Sequence, residues 1–85
     1  MESRIGVVGI IVENRSNNAS KVNQILTDYG NIVRGRMGLP NLSENICAIS
    51  LIVEGTNEEI GAMTGKLGCL KGVKVSSTLI KKESK

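Results

Sequence analysis

The sequence contains no histidine, phenylalanine or tryptophan, and only one tyrosine, one proline and two cysteines. Without histidine, the chain lacks the commonest general base and the commonest ligand of zinc, copper and nickel. The scarcity of aromatic side chains argues against an RNA-recognition sheet, which stacks bases on aromatic rings. We therefore expect no catalytic residue, no metal site and no cofactor, and we predict that the protein is not an enzyme.

The chain also lacks a long hydrophobic run. Its most apolar stretch, Ile5 to Val12, is eight residues long, whereas a transmembrane helix needs about 20. No basic region precedes this stretch and no small-residue cleavage site follows it, so it does not have the pattern of a signal peptide. These features predict a cytoplasmic protein without a membrane contact, in which Cys47 and Cys69 are reduced thiols.

The net charge of +3 comes from 11 basic and 8 acidic residues in a chain of 85. Most of the excess lies at the C-terminal end, where Lys81, Lys82 and Lys85 are opposed only by Glu83. The length allows one domain, which we assign to residues 1–81, with residues 82–85 as a basic tail. A solvated tail is the simpler interpretation, and an anion-binding arm is the alternative.

Hydrophobic periodicity divides the chain into four strands and two helices in the order βαββαβ. Helix stripes occur at Val22, Ile25, Leu26 and Tyr29 and again at Ile60, Met63 and Leu67, and the segment Thr56–Glu59 has the pattern of a capping box. Asn17 and Asn18 are candidate N-caps of the first helix, Gly30 is its expected positive-φ end, and Pro40 is expected to begin a loop. The predicted strands are residues 5–12, 32–39, 46–53 and 73–80. This order predicts an α+β, ferredoxin-like sandwich with two helices on one face of a four-stranded antiparallel sheet.

The first and third strands are apolar on both faces, which is typical of strands buried on both sides. In the first strand Ile5, Val7 and Ile11 alternate with Val8, Ile10 and Val12. Because two helices can cover only one face of the sheet, a second copy of the chain is expected to cover the other, as a dimer or tetramer. The predicted oligomer interface consists of Val8, Ile10, Val12, Ala48 and Ser50.

Two further groups of residues could bind a ligand or a neighbouring backbone. Arg34 and Arg36 are expected on one face of an edge strand, about 6.6 Å apart at roughly 3.3 Å per residue, where they could hold a phosphate or carboxylate or, alternatively, block sheet-to-sheet aggregation. Gly61, Gly65 and Gly68 lie along one face of the second helix. This spacing suggests the close approach of another backbone or a ligand, although the glycines could also be incidental.

The segment GIIVENRSNNASKVNQILTDYGNIV resembles the opening of an ACT domain, a ligand-sensing ferredoxin-like module. The strand ends in Glu13-Asn14-Arg15, and Gly30-Asn31-Ile32 follows the helix. Where ACT amino-acid sensors have Pro-Gly, this chain has Ser16-Asn17. The resemblance implies a small polar or anionic ligand bound at a subunit interface, at the turn that contains the residues Asn14, Arg15, Ser16, Asn17 and Asn18.

A resemblance to a second family covers nearly the whole chain. The motifs GRMGLP (residues 35–40), IGAMTGKLG (residues 60–68) and GVKV (residues 72–75) are similar to those of small bacterial proteins named as regulators of the iron-only hydrogenase system. That family implies an ACT-like fold, also likened to the C-terminal domain of the nickel-responsive repressor. The repressor binds nickel through histidines and one cysteine, and with no histidine here its metal site does not carry over.

These features predict a non-enzymatic regulatory domain that binds a small ligand at an oligomer interface. Because the sequence has no helix-turn-helix, any control of transcription would require a partner protein. One alternative is a structural oligomerisation or adaptor module without a ligand. A weaker alternative is direct nucleic-acid binding through the basic tail with Arg34 and Arg36, which would be strongly salt-dependent.

Overall fold

The computed structural model describes residues 3–13 and 15–81, with the backbone only for residues 15–17 and 41–43. Within these residues the strands and helices follow in the predicted order, with a short 3-10 turn at Gly30–Ile32. The elements are β1 (Ser3–Glu13), α1 (Arg15–Asp28), β2 (Val33–Ser43), β3 (Ile46–Thr56), α2 (Asn57–Gly68) and β4 (Val73–Lys81).

The four strands form one sheet in the order β2-β3-β1-β4. Each neighbouring pair is antiparallel, and β1 lies in the middle, with Val8 opposite Leu51 of β3 and Ile10 opposite Val75 of β4. Both helices pack on the same side of this sheet, and their apolar stripes face it. The α+β ferredoxin-like fold predicted from the sequence is therefore confirmed.

The core lies between the sheet and the two helices. Val8 and Leu51 from the sheet and Met63 and Leu67 from α2 have no exposed surface. Val22 and Leu26 of α1 complete the layer. Burying one such side chain stabilises the fold by about 1.5–3 kcal/mol, so the predicted helix stripes and the inward rows of the sheet together hold the two layers.

Helix α2 begins with the capping box expected from its sequence. The Thr56 hydroxyl accepts a hydrogen bond from the Glu59 backbone N–H at 3.0 Å, and the Thr56 backbone N–H donates to Glu59 Oε1 at 2.9 Å. Two backbone N–H donors at the helix start are thereby satisfied by side-chain acceptors. A cap of this kind typically contributes about 1 kcal/mol.

Three local predictions are corrected. Helix α1 already begins at Arg15, so Asn17 and Asn18 lie inside the helix and are not N-caps. Pro40 lies within β2, which is possible because β2 is an edge strand and needs no hydrogen bond on its outer side. Among the described residues the positive-φ glycine is Gly72, at 84°, and not Gly30, which starts the 3-10 turn.

The predicted basic tail, residues 82–85, lies outside the described residues, so the division at residue 81 stays a prediction. In the part of the chain that is described, no helix is both long enough and apolar enough to cross a membrane.

Candidate functional site

One side of the sheet is not covered by either helix, and we call it the open face. In β1, Val8, Ile10 and Val12 point towards the helices and are buried, whereas the alternating residues of the strand are exposed. Every large hydrophobic side chain that is exposed among those the structure describes lies on this open face, by the strand register: Ile5, Val7, Ile11, Met37, Leu39, Ile52 and Ile80. A contiguous exposed apolar patch of this kind typically marks an interaction surface.

The predicted oligomer interface is partly corrected by this arrangement. Val8, Ile10 and Val12 are at most 1 % exposed, because they form the floor of the core under the helices. They cannot contact a second copy while the domain is folded. Ala48 and Ser50 do lie on the open face, opposite Ile11 and Gly9 of β1.

The sequence could not distinguish the two faces of β1, because both carry branched aliphatic residues. The register between β1 and β3 determines which row of β1 the helices cover. In this register Val8 lies opposite Leu51, and Val7 lies opposite Ile52. This register places the most apolar row of β3 on the same side as Val8 and Ile10, and the helices cover that side.

A depression of about 370 Å³ occupies the centre of the open face. Its lining includes Gly9, Ile11, Met37, Leu39, Ala48 and Ser50. Lys74, on the edge strand β4, is the charged residue of this lining, and Glu13 and Glu54 lie towards the ends of their strands. The centre is therefore apolar, as in the core of a protein interface.

Asn18, a predicted ligand residue, has a structural role instead. Its side chain is 7 % exposed, and Nδ2 donates to the backbone carbonyl oxygens of Glu13 and Lys71, each at 2.9 Å. Asn14 lies outside the described residues, and of Arg15, Ser16 and Asn17 only the backbone, in the first turn of α1, is described. A ligand site at this turn remains a prediction. The Asn18 amide nitrogen already donates to two backbone carbonyl oxygens of the chain itself.

Arg34 and Arg36 do not form the predicted pair. A register shift between Val33 and Gly35 interrupts the alternation of β2. Arg34 approaches Glu54, with Nε 3.5 Å from Oε1, and donates from a terminal nitrogen to the Asn31 carbonyl oxygen at 2.8 Å. Arg36 instead donates to Asn23 Oδ1 of helix α1 at 2.7 Å. The two guanidinium groups therefore serve different neighbours and cannot hold one anion together.

Arg36 and Asn23 lie at a second cavity, which we call the α1–β2 groove. It measures about 240 Å³ and lies between α1 and the strands β2 and β3. Besides these two polar residues its lining includes Val22, Gly38, Leu39 and Cys47. Sequence reasoning missed Asn23 and Gly38, although Gly38 belongs to the conspicuous motif GRMGLP.

The glycines of α2 face open space. A Cβ atom built on Gly61, Gly65 or Gly68 would have no atom of another element within 4 Å among residues 3–13 and 15–81. The close approach expected at this helix face is therefore not made by any described residue, and an approach by another molecule stays a prediction.

Of the two cysteines, Cys47 is buried at the groove and Cys69 is exposed, and both are free thiols. Across residues 3–13 and 15–81, no three side chains of the types His, Cys, Asp and Glu are grouped so that they could hold a metal ion.

The sequence matches a family model over residues 4–77, and that family, called TM1266-like, is described as a candidate regulator of the iron-only hydrogenase system. The chain belongs to this family. The resemblance seen in the GRMGLP and IGAMTGKLG motifs is thus confirmed, and the family description is regulatory and not enzymatic. No curated protein matches the sequence.

One solved structure supports the family assignment, and others share the fold. The protein TM1266 from Thermotoga maritima is 34 % identical, with a TM-score of 0.87 over 93 % of this chain and 99 % of its own. The C-terminal domain of the MgtC protein from Mycobacterium tuberculosis has a TM-score of 0.68 at 13 % identity, covering 89 % of this chain and 86 % of that one.

CPII from Thiomonas intermedia K12, a nitrogen regulatory PII-like protein solved with ADP, AMP and bicarbonate, has a TM-score of 0.60 at 17 % identity, covering 98 % of this chain and all of that one. At these identities, the MgtC domain and CPII show a shared fold only.

Proposed function

We propose that this member of the TM1266-like family is a non-enzymatic regulator that self-associates through its open face and whose assembly responds to a small ligand. The observation that carries the proposal is the collection of all the described exposed large hydrophobic side chains on one face of the sheet. A regulator built in this way would act through a partner protein, since the two described helices lie on the sheet and do not form a DNA-reading pair.

The size of the open face fits a second copy. Four strands spaced about 4.8 Å apart, each with roughly nine residues of about 3.3 Å, give an area of roughly 600 Å² on each copy. Two copies would bury roughly 1,200 Å² in total, at the lower end of the range of stable specific interfaces. An identical copy also needs no complementary charge, because the centre of the face is apolar.

The energetic estimate points to a weak, adjustable association. The seven exposed side chains have between 37 % and 65 % of their surface exposed. Burying about half of each would contribute roughly 5–10 kcal/mol in all, against an association cost of about 4–15 kcal/mol. An assembly near this balance can be shifted by a ligand that binds the two states differently.

Sedimentation velocity over micromolar concentrations tests the proposal with two lysine variants. Val7→Lys places a charge at the centre of the open face, opposite Ile52 and Thr78. Ser77→Lys is the matched control, because Ser77 is an exposed strand residue that lies opposite Val8 on the other side of the sheet.

We expect the wild type and Ser77→Lys to self-associate and Val7→Lys to be monomeric, with all three folded by circular dichroism. A monomeric wild type would contradict the proposal.

An adaptor that assembles without a ligand is the second candidate. It is favoured by the internal contacts of Asn18 with Lys71 and of Arg34 with Glu54, which occupy two of the predicted ligand residues. A thermal-shift screen of amino acids, nucleotides and cofactor precursors separates the two candidates. A ligand at 100 times its Kd adds about 2.7 kcal/mol to stability, which is several degrees in Tm for a domain of this size.

A further inference from the structure

We propose that the α1–β2 groove binds a small aliphatic carboxylate, with Arg36 holding the carboxylate and the apolar wall holding a short branched chain. The proposal names a ligand class and a site for the ligand-responsive part of the proposed function, and it rests on that function only for the effect on assembly. The binding itself stands on the geometry of the groove.

The charge of the groove selects an anion. Among the residues whose side chains the structure describes, no Asp or Glu lines the groove. Of the two arginines of β2, Arg34 has a carboxylate neighbour in Glu54, whereas the described contact of Arg36 is with the neutral Asn23 amide. A guanidinium group has five N–H donors in a planar fork that matches a carboxylate, and the bond to Asn23 uses one of them. Asn23 therefore fixes the position of a cation whose charge is not neutralised by any of the described side chains that line the groove.

The apolar part of the groove selects the body of the ligand. Val12, Val22 and Cys47 contribute to its wall, and Gly38 carries no side chain to fill the space in front of Ile49. A Cβ atom on Gly38 would approach nothing closer than 3.9 Å. The volume of about 240 Å³ corresponds to roughly eight water-sized units of about 30 Å³. A carboxylate with a branched chain of about six carbons has that size.

The groove is also connected to the open face. Leu39 and Ala48 line both the groove and the central depression of the open face. A ligand that shifts β2 or β3 at these two residues, whose side chains lie on the open face, would alter the surface that a second copy contacts. Binding and assembly are then linked reciprocally, which would make the groove the sensing site of the regulator.

The test uses 4-methylpentanoate as the probe, with binding followed by NMR chemical shifts of the full chain. The isosteric neutral amide, 4-methylpentanamide, controls for the charge, and acetate controls for the apolar body. Three variants are compared: Arg36→Gln removes the cation, Gly38→Val fills the groove without touching Arg36, and Arg34→Gln removes the neighbouring arginine as the matched control.

We expect saturable binding of the acid, with shifts centred on Val22, Asn23 and Gly38. Arg36→Gln should weaken binding roughly ten- to hundredfold, the range for a hydrogen bond to a charged group, and Gly38→Val should weaken it at least tenfold. Arg34→Gln should leave the affinity unchanged, and the amide and acetate should bind at least tenfold more weakly than the acid.

Equal binding of acid and amide, an unaffected Arg36→Gln variant, or shifts centred elsewhere would overturn the proposal. An N-acetylated tripeptide that ends in leucine tests the other source of such a carboxylate, a peptide C-terminus. Tighter binding of that peptide would overturn the assignment to a small free acid. If Gly38→Val does not fold, the affinities of Arg36→Gln and Arg34→Gln for the acid decide whether the groove binds it.

The same titration in the Val7→Lys background separates this proposal from the proposed function. Arg36-dependent binding to the monomeric Val7→Lys variant would show that the groove binds without assembly, and the same binding to a wild type that sediments as a monomer would support the groove and contradict the role of the open face. Self-association without Arg36-dependent binding supports the open face and overturns the groove.

Discussion

The Asn18 side chain joins the start of helix α1 to the backbone of Lys71, which is 53 residues away in the sequence, through a hydrogen bond from Nδ2 to the carbonyl oxygen at 2.9 Å. The same nitrogen donates to the Glu13 carbonyl oxygen at 2.9 Å, and the Glu13 N–H donates to the Gly72 carbonyl oxygen at 2.7 Å. Three chain segments, the end of β1, the first turn of α1 and the turn before β4, are thereby held together by one amide group.

Replacing Asn18 by alanine should destabilise the fold by about 1–3 kcal/mol, because two part-buried carbonyl oxygens lose their donor. Asn18→Asp should destabilise the fold more than Asn18→Ala at neutral pH, since a carboxylate would face two carbonyl oxygens. Urea denaturation measures both, with Gln24→Ala, an exposed change on the same helix, expected within about 0.5 kcal/mol of the wild type. An Asn18→Ala protein with unchanged stability would show that the amide is available for a ligand.

Replacing glycine by alanine should lower the free energy of unfolding at Gly72 and raise it at Gly65. Gly72 has a φ of 84°, and a Cβ atom there would lie 3.1 Å from Asn18 Nδ2 and 3.2 Å from the Glu13 carbonyl oxygen. Gly72→Ala should therefore cost about 1–3 kcal/mol, from the left-handed backbone and the crowding. Gly65→Ala in the exposed interior of α2 should instead stabilise by about 0.5–1 kcal/mol.

Thermal or urea unfolding of the two glycine variants measures both changes in stability. A destabilised Gly65→Ala protein would contradict the open surroundings of this helix face. If Gly65→Ala keeps its stability but changes self-association, then a second copy approaches α2, as the glycine spacing suggested.

Lys66 should titrate above its ordinary value. Its Nζ lies 5.1 Å from the centroid of the Tyr29 ring. The interaction with the Tyr29 side chain, followed by that with the Asp28 charge, raises the pKa of Lys66 above 10.5. The interaction therefore favours the folded state below pH 10.5 and loses its effect as the pH rises through the folded-state pKa.

Tyr29→Phe should lower the pKa of Lys66 towards 10.5, because the hydroxyl is removed and the ring is kept. A two-dimensional NMR titration of the lysine side chains measures the difference directly. An unchanged pKa in Tyr29→Phe would show that the hydroxyl does not act on Lys66.

The sequence predicted the elements well where local chemistry decides them. The capping box at Thr56 and Glu59 is a contact over three residues, and the stripe of Ile60, Met63 and Leu67 follows helical geometry, so both can be recognised from neighbouring residues alone. The alternation of β1 likewise separates its two rows of side chains without any knowledge of the sheet.

Features that depend on distant partners could not be predicted in this way. The bonds of Asn18 depend on Lys71, and the choice of open face depends on the register of β1 with β3. The separation of Arg34 from Arg36 depends on a register shift in β2 that no residue pattern marks. The groove was missed for a similar reason, because Asn23 and Gly38 belong to different elements that only the packed fold brings together.

The identity of the surface that meets a second copy is best tested by isotope-filtered NOE spectroscopy on a mixture of methyl-labelled and unlabelled chains. Our account predicts intermolecular NOEs from the methyl groups of Val7, Ile11 and Ile52. It predicts none from those of Met63 or Leu67, which lie in the core. The absence of intermolecular NOEs at these three residues, at a concentration where the protein sediments as an oligomer, would contradict the account.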